Sequence, residues 1–476
     1  MAIHNEGFRK KMRDLIDLGF DDQIEDTIGT IRIASVLDEG HVSAEHPFGA
    51  NVTEALEDFL ERARRLGFKT KNLDNYAGYV EMGTGQELIG ILAHLDVMPE
   101  GDLTGWRHHP YEAVIDGGEL YGRGSIDDKG PAVAALYAMK ALRDSGAALR
   151  RRFRLILGLD EESGSRCIAH YKEVDEIPTL SFSPDATFPV VNAEKGILRA
   201  IISKSAEVYG DGGVRLAELR GGDRFNVVPD AATVLIQCGE ADEPRIDGLF
   251  AGFETSRAPG GVRITSRGVP AHAMEPQKGD NAVQKLMSRI VQLDLAQPDK
   301  DLALAMYALA GRGHSGEGLG IESSDDVSGP LTCNLAAISI EDGETGNMKK
   351  MSIKIDIRYP VTEDSERLLK RMELAVGRAG AELVLSTHKR SLYIPETHEI
   401  VRTLLDSYEA VTGDRPAPVS MGGGTYCRFM PNSVSAGPLF PGQPELAHQA
   451  NERVAIEDLR RGTHIYAEAL ARFNEI

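Results

Sequence analysis

The chain has 476 residues, 42% of them apolar, 26% charged and 6% aromatic, with 50 glycines. At about 150 residues per domain this amounts to about three domain-sized units, which excludes a single small binding module, a disordered chain and a fibrous repeat. Asp and Glu outnumber Lys and Arg by 73 to 53, a net charge of −20 that repels phosphate backbones and argues against a nucleic-acid partner.

The four cysteines, Cys167, Cys238, Cys333 and Cys427, lie far apart with no CxxC pair, and read as reduced thiols of a cytoplasmic protein. The first residues, MAIHNEGFRKKMRDL, lack the apolar core of a signal peptide, and no apolar run is long enough to span a bilayer, so no membrane partner is expected.

Residues 1 to 70 are predicted helical: FRKKMRDLIDLG and TEALEDFLERARRLG carry apolar residues at helical spacing, with Gly67 where a C-cap is expected. Short apolar runs follow, ELIGILAH at 87–94, RFRLILGLDEE at 152–162 and TLSFSPD at 179–185, each ending in polar residues. Between the first two lies PAVAALYAMKALRDSG, a predicted helix with Pro131 in its first turn and Gly146 at its end. Strand, helix, strand in this order predicts an α/β layer with a mostly parallel sheet flanked by helices. From about residue 197 the texture changes. ILRAIISKS, ATVLIQCG and GVRITSRG are strand-like and NAVQKLMSRIVQLD is an amphipathic helix; LTCNLAAISIED, MKKMSIKIDIRYP, EDSERLLKRMELAVGRAG and AELVLSTHKR then form a similar set. This predicts two successive ferredoxin-like α+β units as an inserted lid over 195–390, within a discontinuous catalytic domain of 1–194 and 391–476. The insert is long enough for two units of about 100 residues each.

The chemistry-bearing residues fall at strand ends, where open α/β sheets build their sites. His94 and Asp96 follow one strand, Glu161 and Glu162 another, and Asp185 a third; Asp127 precedes the helix that holds Pro131, and His448 comes from the far end of the chain. His94, Asp127, Glu162, Asp185 and His448 offer two imidazoles and three carboxylates, a set suited to zinc, cobalt or manganese. One zinc rarely takes five protein ligands, whereas two divalent ions with a shared carboxylate balance three negative charges. Asp96 can point to the same side as His94 and accept its second ring N–H, and Glu161 is the unliganded carboxylate able to take a proton from water. Taken singly, His94 reads as a buried hydrogen-bonded histidine, Asp127 as a helix N-terminal charge and the Glu161–Glu162 pair as a solvated acidic turn. The chain lacks HExxH, GxxxxGK[ST] and GxSxG, and Gly122 and Gly124 have no third glycine to complete a dinucleotide fingerprint.

HLDV at 94–97, GRGSIDDKGP at 122–131, DEESGS at 160–165, SPDATFP at 183–189, GVPAHAMEP at 268–276 and HQANER at 448–453 together resemble the zinc-dependent aminoacylase, carboxypeptidase and dipeptidase superfamily, in particular its PepV-type dipeptidase branch. The resemblance spans essentially the whole chain, with the motifs in the family's order. It implies that Asp127 bridges two metals across a cis peptide to Asp128, that His94 and Asp185 hold one ion and Glu162 and His448 the other, that Glu161 is the general acid/base, and that Asp96 orients His94. It also implies that His272 stabilises an oxyanion, that Asn226 and Arg358 bind substrate, and that the glycine loop with Gly422, Gly423 and Gly424 cradles a substrate carboxylate. Asp185 stands where several exopeptidase and deacylase relatives carry Glu, which leans toward dipeptidases. The activity so implied is hydrolysis of dipeptides with a free N-terminus; removal of an acyl group from an N-acyl amino acid, C-terminal trimming of a peptide, and an inactive metal-binding homologue are the alternatives. Single-unit relatives dimerise to lend the histidine, so a duplicated lid implies a self-sufficient monomer.

Overall fold

In the computed structural model, residues 2–208, 213–343 and 347–475 are described. The chain divides into two compact units, one of residues 1–193, 393–419 and 424–476 and the other of residues 194–392 and 420–423.

The first unit is built on a mixed sheet whose strands lie in the order Lys69–Leu73, Ala77–Met82, Arg152–Gly158, Leu88–His94, Leu180–Ser183, Ser433–Ser435 and Val191–Glu194. Its centre is parallel and its margins are antiparallel, so the sheet is less uniformly parallel than the strand–helix–strand order predicts. Every residue of Leu88–His94 is buried. That is why it reads as one continuous apolar run: a central parallel strand is covered on both faces. The helix Lys129–Asp144 and the C-terminal helix Ile456–Phe473 contribute to the same core, with Ala132, Ala135, Leu136 and Met139 from one and Ile465, Tyr466 and Leu470 from the other. Gly146, with φ +86°, follows the first of these helices in the left-handed conformation a chain reversal requires.

The parallel register fixes the site. His94 lies opposite Gly158 on one neighbour, and Ile91 lies opposite Phe182 on the other. The segments after His94, Gly158 and Ser183 therefore leave the sheet at one edge, carrying Asp96, Glu161 with Glu162, and Asp185.

Among the described residues, the second unit is built on an antiparallel sheet of eight strands, ordered Glu254–Ala258, Gly261–Arg267, Ala231–Gln237, Arg215–Gly222, Thr332–Asp342, Met348–Tyr359, Gly196–Glu207 and Glu382–Lys389. The helices Glu243–Leu249, Ala282–Ile290, Asp299–Ala310 and Ser365–Arg378 accompany it, all contributing to one core. The two halves are nested and not successive. The strand Gly196–Glu207, first in sequence, pairs with Met348–Tyr359 and Glu382–Lys389 of the second half, while the first half sits between it and Thr332–Asp342 in the chain. Apolar alternation marks Gly196–Glu207 as a strand but not its partners; those are set by long-range pairing.

Candidate metal centre

All five candidate ligands lie in the first unit and converge. His94 Nε2 stands 2.9 Å from Asp127 Oδ1 and 3.7 Å from Asp185 Oδ2. His448 Nε2 stands 2.9 Å from the other Asp127 oxygen, Oδ2, and 3.0 Å from Glu162 Oε1. Two ligand groups result, His94–Asp127–Asp185 and Asp127–Glu162–His448, with the ligand atoms of each within 4.8 Å of one another. Asp127 belongs to both, offering one oxygen to each. His94 Nε2 and Glu162 Oε1 are buried and make no hydrogen bond in spite of these short approaches. Donor atoms that crowd together without hydrogen-bond geometry fit cation coordination, and two imidazoles with three carboxylates is a chemistry divalent zinc, cobalt and manganese accept.

The electrostatics match. Burial pushes the Asp185 carboxyl up to about 7, helped by the charge of Asp127. For His448 burial works the other way, but the nearby carboxylates of Asp127 and Glu162 hold it up at about 11. The cluster thus retains protons that a divalent cation would displace, because metal ligands must be deprotonated.

A model described as "Peptidase family M20/M25/M40" matches residues 90–472. The chain belongs to that family. It is a metallopeptidase in class. It is 38% identical over 460 residues to a Bacillus subtilis (strain 168) protein named "Putative dipeptidase YtjP", covering 94% of this chain and 96% of that one. Its fold is similar to the solved structures of the M20 family metallo-carboxypeptidase Sso-CP2 from Sulfolobus solfataricus, with a TM-score of 0.57, 18% identity and coverage of 95% and 99%, and of human carnosine dipeptidase 1, with a TM-score of 0.58, 15% identity and coverage of 98% and 99%.

Around the M20 ligand cluster the structure assigns finer tasks. The peptide between Asp127 and Asp128 is cis. Asp128 is fully buried and accepts the backbone N–H of His94 at 3.1 Å. The carboxylate of Asp96 accepts the N–H groups of Glu161 at 3.2 Å and Glu162 at 3.1 Å, tying the end of the His94 strand to the acidic turn. His94 Nδ1 lies 2.9 Å from the backbone oxygen of Asp96 and 3.5 Å from its carboxylate. His94 Nδ1 thus lies nearer the Asp96 carbonyl than its carboxylate, and the two N–H groups of the turn engage the Asp96 side chain. The turn is shaped by Asp160, which accepts Arg166 N–H at 2.8 Å and pairs with its guanidinium. Of the adjacent glutamates, Glu162 faces His448, whereas the Glu161 carboxylate belongs to neither ligand group among the described residues.

Tyr426, buried at the end of the glycine loop, stands edge-on to the His94 ring, with centroids 6.2 Å apart, and its hydroxyl lies 2.8 Å from Cys167 Sγ. Gly158 makes room for it: a Cβ there would fall 2.1 Å from the Tyr426 hydroxyl. No motif spacing marks Tyr426, since the contact joins three distant segments.

The remaining candidates divide between the units, Gly424 in the first and His272, Asn226, Arg358, Gly422 and Gly423 in the second. His272 is exposed within its unit, and its Nδ1 accepts the Met274 N–H at 3.2 Å. The backbone on either side of Asn226 is held by Asn334, whose side-chain amide donates to the carbonyls of Phe225 at 3.2 Å and Val227 at 3.0 Å. Arg358 is 3% exposed, pairs with buried Asp356 at 2.5 Å and donates to the Gly422 carbonyl at 2.7 Å. Two of its nitrogens, Nε and Nη2, are thus taken by Asp356 and one, Nη1, by the glycine loop, leaving few donors for a substrate carboxylate. Gly422 is required by packing, because a Cβ there would lie 2.6 Å from Met274 Cβ.

Proposed function

We propose that this protein hydrolyses the peptide bond of dipeptides with a free N-terminus, with two divalent cations as cofactors, zinc in the first place and cobalt or manganese as alternatives. The observation that carries the reading is the sharing of Asp127, one oxygen to each of two ligand groups. His94 and Asp185 hold one ion and Glu162 and His448 the other. When bound, the ions polarise the scissile carbonyl and lower the pKa of the attacking water. Glu161 takes the proton of that water and returns it to the leaving amine, a task open to it because neither ligand group uses it. His272 donates to the tetrahedral oxyanion: with Nδ1 accepting the Met274 N–H, the neutral ring carries its proton on Nε2. Asn226, Arg358 and the loop of Gly422, Gly423 and Gly424 bind the carboxylate end, and Asp185 or Asp96 binds the amine.

The choice of dipeptides over N-acyl amino acids or peptide C-termini is supported by the name of the Bacillus subtilis relative. A location in the cytoplasm is supported by four free cysteines and by the finding that, among the described residues, no helix is long and apolar enough to cross a membrane. The deciding assay is turnover of a free dipeptide panel against N-acetylated and N-succinylated analogues by zinc-, cobalt- and manganese-loaded protein. Faster cleavage of the blocked substrates would replace the dipeptidase reading with the deacylase one. Gel filtration at assay concentration is expected to give a monomer, and an obligate dimer would remove the self-sufficient lid.

A further inference from the structure

The segment that carries His448 also carries Glu452, which is 0% exposed. One Glu452 oxygen, Oε1, accepts three backbone N–H groups: Gly124 at 2.9 Å, Ile126 at 3.0 Å and Asp127 at 3.3 Å. The other, Oε2, pairs with Arg123 Nη1 at 2.7 Å. The Glu452 carbonyl accepts the Gly122 N–H at 3.0 Å. A single residue thus grips the chain at positions 122, 123, 124, 126 and 127. Arg123 is itself 2% exposed, reaches the Pro99 carbonyl with Nη2 at 3.3 Å and lies 5.2 Å from the centroid of the Trp106 ring. Next to Glu452, the Asn451 side chain accepts the Arg107 N–H at 2.5 Å and donates to the Gly105 carbonyl at 2.8 Å.

Three N–H groups converging on one oxygen, with a guanidinium on the other, form a donor set that the two acceptor oxygens of a carboxylate satisfy. A glutamine could present one oxygen to the three N–H groups, but it would then turn its NH₂ toward Arg123, donor against donor. The gripped turn leaves little slack. Gly124 has φ +90°, and a Cβ there would meet the Lys129 side chain at 3.0 Å. On the other side His448 has φ +63° and Asn451 φ +64°, so the segment between His448 and Glu452 is itself tightly turned.

Resting on the metal-dependent reading above, we infer that Glu452 is a positioning residue for the metal centre: it locks the turn 124–127 to the His448 segment, so that the two Asp127 oxygens meet His94 on one side and His448 on the other. It touches no reacting atom. Its effect passes through the position of the bridging ligand, and outer partners of this type set metal affinity by about 10- to 100-fold.

The test is cobalt binding to the metal-free full chain, measured by competition with a chelating dye and by the cobalt absorption spectrum, alongside thermal unfolding. Glu452→Gln is expected to bind Co²⁺ about 10- to 100-fold more weakly, with an altered spectrum, and to recover turnover when Co²⁺ is raised in proportion. Arg123→Gln, which removes the ion pair but leaves the three N–H bonds, is expected to lose less than Glu452→Gln. Wild-type affinity and spectrum in a Glu452→Gln protein that has lost only thermal stability would overturn the inference and leave Glu452 a structural residue. Should Glu452→Gln fail to fold, Glu452→Asp and Arg123→Gln carry the same comparison, and unchanged cobalt affinity in both overturns it. A wild-type protein that binds no cobalt would instead refute the metal-dependent reading itself.

Discussion

Replacing Glu161 by alanine separates catalysis from metal binding, because the structure distinguishes two neighbouring glutamates. Glu162 lies 3.0 Å from His448 Nε2 within a ligand group; the Glu161 carboxylate belongs to none. The tie between Asp96 and residue 161 runs through the backbone N–H, which alanine keeps, so the acidic turn and the ligands survive the substitution. The change therefore removes the proton acceptor alone. Acid/base groups contribute about 10²- to 10⁴-fold in rate. At about 1.36 kcal/mol per decade this is about 2.7–5.4 kcal/mol of transition-state stabilisation. The assay is steady-state dipeptide hydrolysis by protein carrying its full complement of metal, with the metal quantified in the same sample. Glu161→Ala is expected to keep both ions and lose at least about 100-fold in kcat, whereas Glu162→Ala loses affinity for metal. Retention of more than about a tenth of the wild-type kcat, or loss of metal in parallel with rate, would refute the division of labour.

Gly158→Ala pushes a methyl group into the space of the Tyr426 hydroxyl and is expected to cost about 1–3 kcal/mol in urea unfolding and to lower kcat through the displaced His94 ring; an unaltered kcat would show that Tyr426 has no hold on that ligand. Chelation of the metal is expected to lower the thermal midpoint, and metal at 100 times its Kd to restore about 2.7 kcal/mol, whereas a midpoint indifferent to metal would contradict binding to the folded state. Asp175 predicts the acid response. Burial raises its pKa, but Lys71, the Glu176 N–H and Arg154 outweigh this and hold the carboxyl below 3.8. The unfolded chain then binds the extra proton first, so the contribution is full above pH 3.8 and is lost as pH falls through the lower folded value. Asp175→Asn should cost about 1–3 kcal/mol at pH 7 and flatten the stability curve below pH 4, read by urea unfolding across pH; an unchanged acid limb would exclude Asp175 as a source of acid sensitivity.

Four of the five candidate ligands carry a local signal in the sequence, whereas His448, from the far end of the chain, carries none. Apolar strands that end in His94, in Glu161 and Glu162, and in Asp185 announce parallel strands whose carboxyl ends share one edge, and a glycine-rich turn before a helix announces Asp127. Short-range patterning encodes such features, since strand, cap and turn depend on residues a few positions apart. Tertiary structure alone decided what depends on chain segments meeting. It placed one Asp127 oxygen against each histidine, brought the Asp96 carboxylate onto the N–H groups of the acidic turn, and stood Tyr426 against His94 over a glycine. It brought Glu452 onto the loop of Asp127, although both residues lie in motifs visible in the sequence. In the second unit it sent Gly196–Glu207 to the later half of the sheet. A strand's apolar alternation says which face is buried, not which strand lies beside it, and a buried carboxylate's task is set by the N–H groups the fold delivers to it.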